Sequence, residues 1–182
     1  MPLFSGWAVL NGAAILALLG TAAAQVTTGR TCTELLQAQD ARAVAACKAQ
    51  LDEAESAPAT ERLARIVADD EYGIALLAVA HQPKQALPFL DREIALLPAS
   101  TVKPDSLQWA VAFWHRATAY QQLEQWEHAA ADLGTAEDTL TKGIAAAAGD
   151  EATAGHFSEL RQRVRAQRAT VLNRMAAKRK SS

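Results

Sequence analysis

Three features of the sequence predict an all-α fold in which antiparallel helical hairpins stack side by side and a terminal helix covers the end. Half of the residues are hydrophobic, but alanine supplies much of that half and aromatics only 5% of the chain. Leu, Gln, Glu and Arg add further helix-favouring residues, while runs of β-branched residues are almost absent. Apolar side chains recur three and four apart, and prolines or glycines divide these stretches. The 182 residues suffice for one domain with its own core. Abundant alanine lets helix backbones approach closely.

The first hairpin is expected over about 31–56. Thr31 and Glu34 form the pattern of a capping box, and a second short helix follows from about Asp40. The next unit, about 60–98, opens on Thr60 as a cap. Its first helix shows one buried face, Leu63, Ile66, Val67, Ile74, Leu76 and Leu77. Its second helix begins near Pro83, carries Ala86, Leu90, Ile94 and Leu97, and stops at Pro98; Pro88 predicts a late start or a bend. A loop spans Pro98–Pro104. Asp105 or Ser106 then caps a helix to about Leu123, and its partner runs from Gln125 to about Lys142, a unit of about 105–141. The terminal helix is expected over about 150–178, with Phe157, Leu160, Val164, Val171 and Met175 as its apolar side.

Residues 1–24 carry no charged side chain, and Trp7–Leu19 is almost wholly apolar. That length suits the core of an export signal and falls short of a span of about 20 residues. Ala22–Ala24 offers the small residues a signal peptidase needs, so cleavage is expected between Ala24 and Gln25, leaving a helical domain of 25–182. No Lys or Arg precedes the apolar run. An uncleaved anchor or a buried N-terminal helix is the alternative. Export to the periplasm or cell envelope agrees with the two cysteines. Cys32 and Cys47 lie on neighbouring short helices whose antiparallel packing would let them bridge, closing a loop that stabilises by roughly 3 kcal/mol. Two small buried thiols are the other reading; further ligands at metal spacing are missing.

The stretch Phe113-x-x-Arg116-Ala117-x-x-Tyr120, followed by Trp126-x-x-Ala129-x-x-x-Leu133, resembles one hairpin of a tetratricopeptide repeat. Phe113 stands at the family's tryptophan, Ala117 at its glycine and Leu133 at its second aromatic, while Thr141 falls where a proline is usual. Ala43-x-x-x-Cys47, Ala86-x-x-x-Leu90 and Ala129-x-x-x-Leu133 recur at intervals of 43 residues, against a family period of about 34. In the second unit Asp70, Gly73 and Ile74 occupy slots of tryptophan, leucine and glycine. The resemblance implies a short solenoid over about 31–141, with the first helix of each hairpin lining a concave groove. It places Trp114, Thr118, Gln121 and Gln122 of the third unit in that groove, and Glu71, Ala75, Ala78 and Val79 of the second. For Trp114, burial against the terminal helix is an equal alternative. Phe113, Tyr120 and Trp126 are expected to pack rather than react.

Charge is polarised along the chain. Residues 1–158 hold 10 basic and 19 acidic side chains, whereas 159–182 hold eight basic ones and Glu159 alone. The terminal helix therefore has two readings, a cap on the apolar end of the array and a basic surface for anionic lipid headgroups. Nucleic acid is not expected as a partner, because the basic run lacks interleaved aromatics.

Nothing in the chain points to catalysis, a metal or a cofactor. The four histidines are scattered, and no phosphate-binding or nucleophile motif is present. Asp69, Asp70 and Glu71 are adjacent on a helix, so they face different ways and are expected to be solvated charges. The expected function is therefore recognition without catalysis, an exported bacterial adaptor that holds a peptide or helix of a partner protein. The alternative is a membrane-associated protein held by its N-terminal segment or its basic helix.

Overall fold

The computed structural model describes residues 30–58, 61–100 and 106–181. The expected signal segment, its cleavage point and the caps proposed at Thr60 and Asp105 lie outside these residues. Among the described residues the fold is entirely helical, with seven α-helices. They are α1 (Cys32–Gln37), α2 (Ala43–Ser56), α3 (Arg62–Ile74), α4 (Pro83–Leu96), α5 (Leu107–Gln122), α6 (Trp126–Ala146) and α7 (Glu151–Ser181). Each packs on the next, and α1, α3, α5 and α7 also touch in succession.

Local chemistry sets the ends. The capping box of α1 is formed in both directions, Thr31 Oγ1 accepting from the amide of Glu34 and Glu34 Oε2 from that of Thr31. Gln39 then turns the chain with a φ of 51°, and Asp40 accepts from the Arg42 amide, which delays α2 to Ala43. Ser106 caps α5 by accepting from the Trp109 amide. Asp150 accepts from the amide and hydroxyl of Thr153 at the start of α7, just after Gly149 at φ 99°.

Three departures from expectation have local causes. Pro88 does not delay the start of α4, which runs from Pro83 to Leu96. Pro88 and Lys84 are both exposed, so water can reach the carbonyl that proline leaves without a donor. The second departure is that α3 continues into a π-helical turn, Ala75–Val79, closed by Ala80 N–H on the Ala75 carbonyl and followed by His81 at φ 55°. The wider turn lets the adjacent Leu76 and Leu77 both be buried. Third, α6 passes the expected stop near Lys142 and ends at Ala146, because the alanines that follow Ile144 favour helix.

Packing follows the small residues. A Cβ on Gly73 would stand 2.7 Å from Cδ2 of the fully buried Leu90, so the crossing of α3 and α4 requires glycine there. Ala117, Ala129, Leu133 and Leu140 form the centre of the α5–α6–α7 core, and the five apolar positions expected on the terminal helix all join it. Phe113, Tyr120 and Trp126 pack half-buried around that core. At the other end, Cys32 and Cys47 are disulfide-bonded within a cluster of Leu35, Leu36, Ala43 and Ala75.

Candidate binding surface

The contacts among α1, α3, α5 and α7 are where most of the residues expected to line a groove are found. Trp114 is half-buried, packs in the α5–α6–α7 core, and donates from Nε1 to Oε1 of Gln167 on α7 at 2.6 Å. The same Gln167 donates from Nε2 to Thr118 Oγ1 at 3.2 Å, and that hydroxyl donates to the Trp114 carbonyl. Trp114 and Thr118 are thus brought together by a residue that the sequence did not single out. Gln121 is partly exposed, but its Nε2 is buried and meets no acceptor. Gln122 is exposed.

Glu71 belongs to a different place. Its carboxylate accepts from Thr33 of α1 and from Gln50 of α2, and burial raises its pKa against the pull of those two donors. Ala75 is fully buried and Val79 half-buried against the α1–α2 cluster, with Ala78 half-buried. The second-unit positions therefore join α3 to the first hairpin, while Trp114 and Thr118 join α5 to α7. Thr33–Glu71, Asp70–His115 and Trp114–Gln167 form a series of polar contacts linking α1 to α3, α3 to α5 and α5 to α7.

The expectation that Asp69, Asp70 and Glu71 are solvated charges is corrected by three separate pairings. Helical geometry points them to different neighbours. Asp69 is fully buried and accepts from Nε of Arg92 through both oxygens at 2.9 Å. Burial raises its carboxyl pKa, opposed by the guanidinium, and the pairing raises that of Arg92 in turn. Asp70 Oδ1 lies 2.6 Å from Nδ1 of His115. It also adjoins Glu93 of α4, which is fully buried and accepts from Gln108 of α5. Loss of hydration, then the nearby Asp70 charge, hold the Glu93 pKa well above the ordinary carboxylate range. Oε2 of Glu93 meets no donor, and protonation of this carboxyl removes a buried charge.

A second set of charges ties α4, α5 and α6. Arg116 donates to both oxygens of Asp132 at 2.8 Å and to Asp91, and its guanidinium lies over Phe113 and Tyr120. These bonds, Asp132 foremost, raise the Arg116 pKa, while burial raises that of Tyr120. Arg116 sits at a position that is leucine in the repeat pattern, and it packs by its planar face and its charge together. Arg165 and Arg168 of α7 both pair with Glu137 of α6.

No helix among the described residues is long and apolar enough to cross a membrane. No family model, curated protein or solved structure matches the chain.

Proposed function

We propose that this chain is a non-catalytic, tetratricopeptide-like adaptor of the bacterial cell envelope, whose α1, α3, α5 and α7 present a concave face to a peptide or helix of a partner protein. Successive contact among these four helices is the observation that carries the reading. In a stack of hairpins, such contact between alternate helices on one side makes a continuous surface. Gln121 and Gln122 are its candidate contacts. Gln122 is exposed and its amide suits the polar backbone groups of an extended segment, while Gln121 is partly exposed with its Nε2 turned inward. Trp114, Thr118 and Glu71 set the spacing of the helices beneath. A preformed surface loses little conformational entropy on binding, so modest contacts suffice.

Export is part of the proposal. It is supported by the disulfide between the chain's two cysteines, which an oxidising compartment preserves. The three hairpins would serve as repeat units and α7 as their cap.

The test is cross-linking in intact cells from photoreactive residues placed at Gln122 on α5 and at Thr135 on α6, both exposed. A defined adduct from position 122 and none from 135 supports the groove. Equal adducts from both, or an adduct from 135 alone, would overturn it.

A further inference from the structure

The C-terminal end of α7 stands apart from the rest of the array. Helix α7 has 31 residues and its partner α6 has 21. At about 1.5 Å per residue the excess amounts to about 15 Å. Met175 is the last residue of α7 packed on the core, and Ala176–Lys180 are all exposed. Leu172, at 44% exposure, is the one large apolar side chain fully in the exposed class among the described residues, and it lies at this same end.

The charges there have one sign. Arg174, Lys178, Arg179 and Lys180 fall within nine residues of Leu172, and no Asp or Glu follows Glu159 anywhere in the chain. Upstream, Arg165 and Arg168 are already engaged by Glu137 of α6. Leu172 and Ala176, four residues apart, share an exposed stripe that ends at Arg179, while Met175 beside them is held against the core. Arg174 and Lys180 are exposed on the turns beside it.

We propose that this helix end, Leu172–Lys180, rests on the headgroups of an anionic phospholipid bilayer. The inference does not depend on the groove. A stable protein interface buries about 800 Å² on each partner, more than two and a half turns of a single helix offer with one exposed large apolar side chain. A flat anionic surface needs no shape match. The cations reach the phosphates, and the short apolar stripe settles at the headgroup boundary. Arg179 at the end of the stripe keeps its head among the phosphates while its stem stays with the apolar side chains. Attraction of this kind is mainly electrostatic, so salt reverses it.

The experiment sediments the full chain with vesicles of phosphatidylcholine alone or mixed with phosphatidylglycerol, at low and high salt. The wild type is compared with a variant carrying Arg174→Gln, Arg179→Gln and Lys180→Gln. Circular dichroism and the thermal midpoint establish that the variant keeps its fold. Binding confined to the anionic vesicles, lowered about tenfold or more by the three substitutions and by salt, supports the proposal. Unchanged binding of the folded variant overturns it, as does equal binding to neutral vesicles. Tighter binding to duplex DNA than to vesicles of equal phosphate content overturns it too, since the charges would then serve nucleic acid.

Discussion

His115 on α5 holds Asp70 on α3 through a 2.6 Å contact between Nδ1 and Oδ1, and so joins the second hairpin to the third. Behind it, Asp70 adjoins the buried Glu93 of α4, which Gln108 of α5 contacts from the far side. Three helices thus meet around two carboxylates, of which the buried Glu93 favours its protonated form.

That proton gives a pH dependence. The folded-state pKa of Glu93 lies well above the unfolded value of about 4.5, so the folded chain favours the protonated form. The stability associated with it is fully present below about 4.5 and is lost as pH rises through the folded pKa, with a slope of at most about 1.4 kcal/mol per pH unit for one group. Asp69 and Glu71, both raised by burial, act in the same direction. Glu93→Gln keeps the side chain's size and removes the titration. Urea unfolding should find the variant more stable than the wild type near neutral pH, with the gap closing toward pH 4. A gap independent of pH would mean that Glu93 does not take up the proton on folding.

The Asp69–Arg92 pair predicts an asymmetry. Asp69 is buried, whereas Arg92 is 42% exposed at its side chain and also pairs with Glu55. Arg92→Ala leaves an uncompensated carboxylate inside and should cost about 3 kcal/mol. Asp69→Ala removes the buried charge and leaves an arginine that retains Glu55 and water, for a cost of about 1 kcal/mol. Equal losses in denaturant midpoints would mean that Asp69 reaches solvent by another route.

The helices were legible because periodicity and caps are local. Thr31 with Glu34 and Ser106 mark their helix starts as read. The apolar side of α7 was equally plain, Phe157 through Met175 lying at helical spacing. The polar partners were not legible, because each joins distant segments. Asp69 finds Arg92 only when α3 packs on α4, and Asp70 finds His115 only when α3 meets α5. For Trp114 both readings were open, and Gln167 on α7 occupies its indole nitrogen. A faint signal existed, since a polar Gln167 falls beside the buried Val164 and Val171 on an otherwise basic helix. The π-helical turn at Ala75–Val79 had no sequence mark at all.

Gly73 is a second case that only packing reveals, since its helical backbone would accept any residue. Gly73→Ala puts a methyl 2.7 Å from Cδ2 and 3.0 Å from Cγ of the fully buried Leu90, which must shift to admit it. The gain in helix propensity, about 1 kcal/mol, is set against an overpacking cost of about 1–3 kcal/mol, so the variant should be destabilised by up to about 2 kcal/mol. Adding Leu90→Val should recover part of that loss, because the methyl then fills vacated volume. Two losses that simply add would show that α3 and α4 move apart rather than share the clash.

The disulfide carries the last prediction. Cys32 is 3% exposed and Cys47 0%, so thiol reagents should find neither in the native chain before or after mild reduction without denaturant. Replacing both by alanine removes a closed loop of 15 residues' separation and should cost about 3 kcal/mol. The loss should concentrate at one end. Helix α1 has six residues, too few to persist alone, and its hold on the chain is the bridge, Leu35 and Leu36, and the Thr33–Glu71 contact. Hydrogen exchange should therefore accelerate first in α1 and in the adjoining part of α2, with the amides of α5 and α6 keeping their protection. A uniform rise across all helices would instead make the bridge a brace for the whole stack.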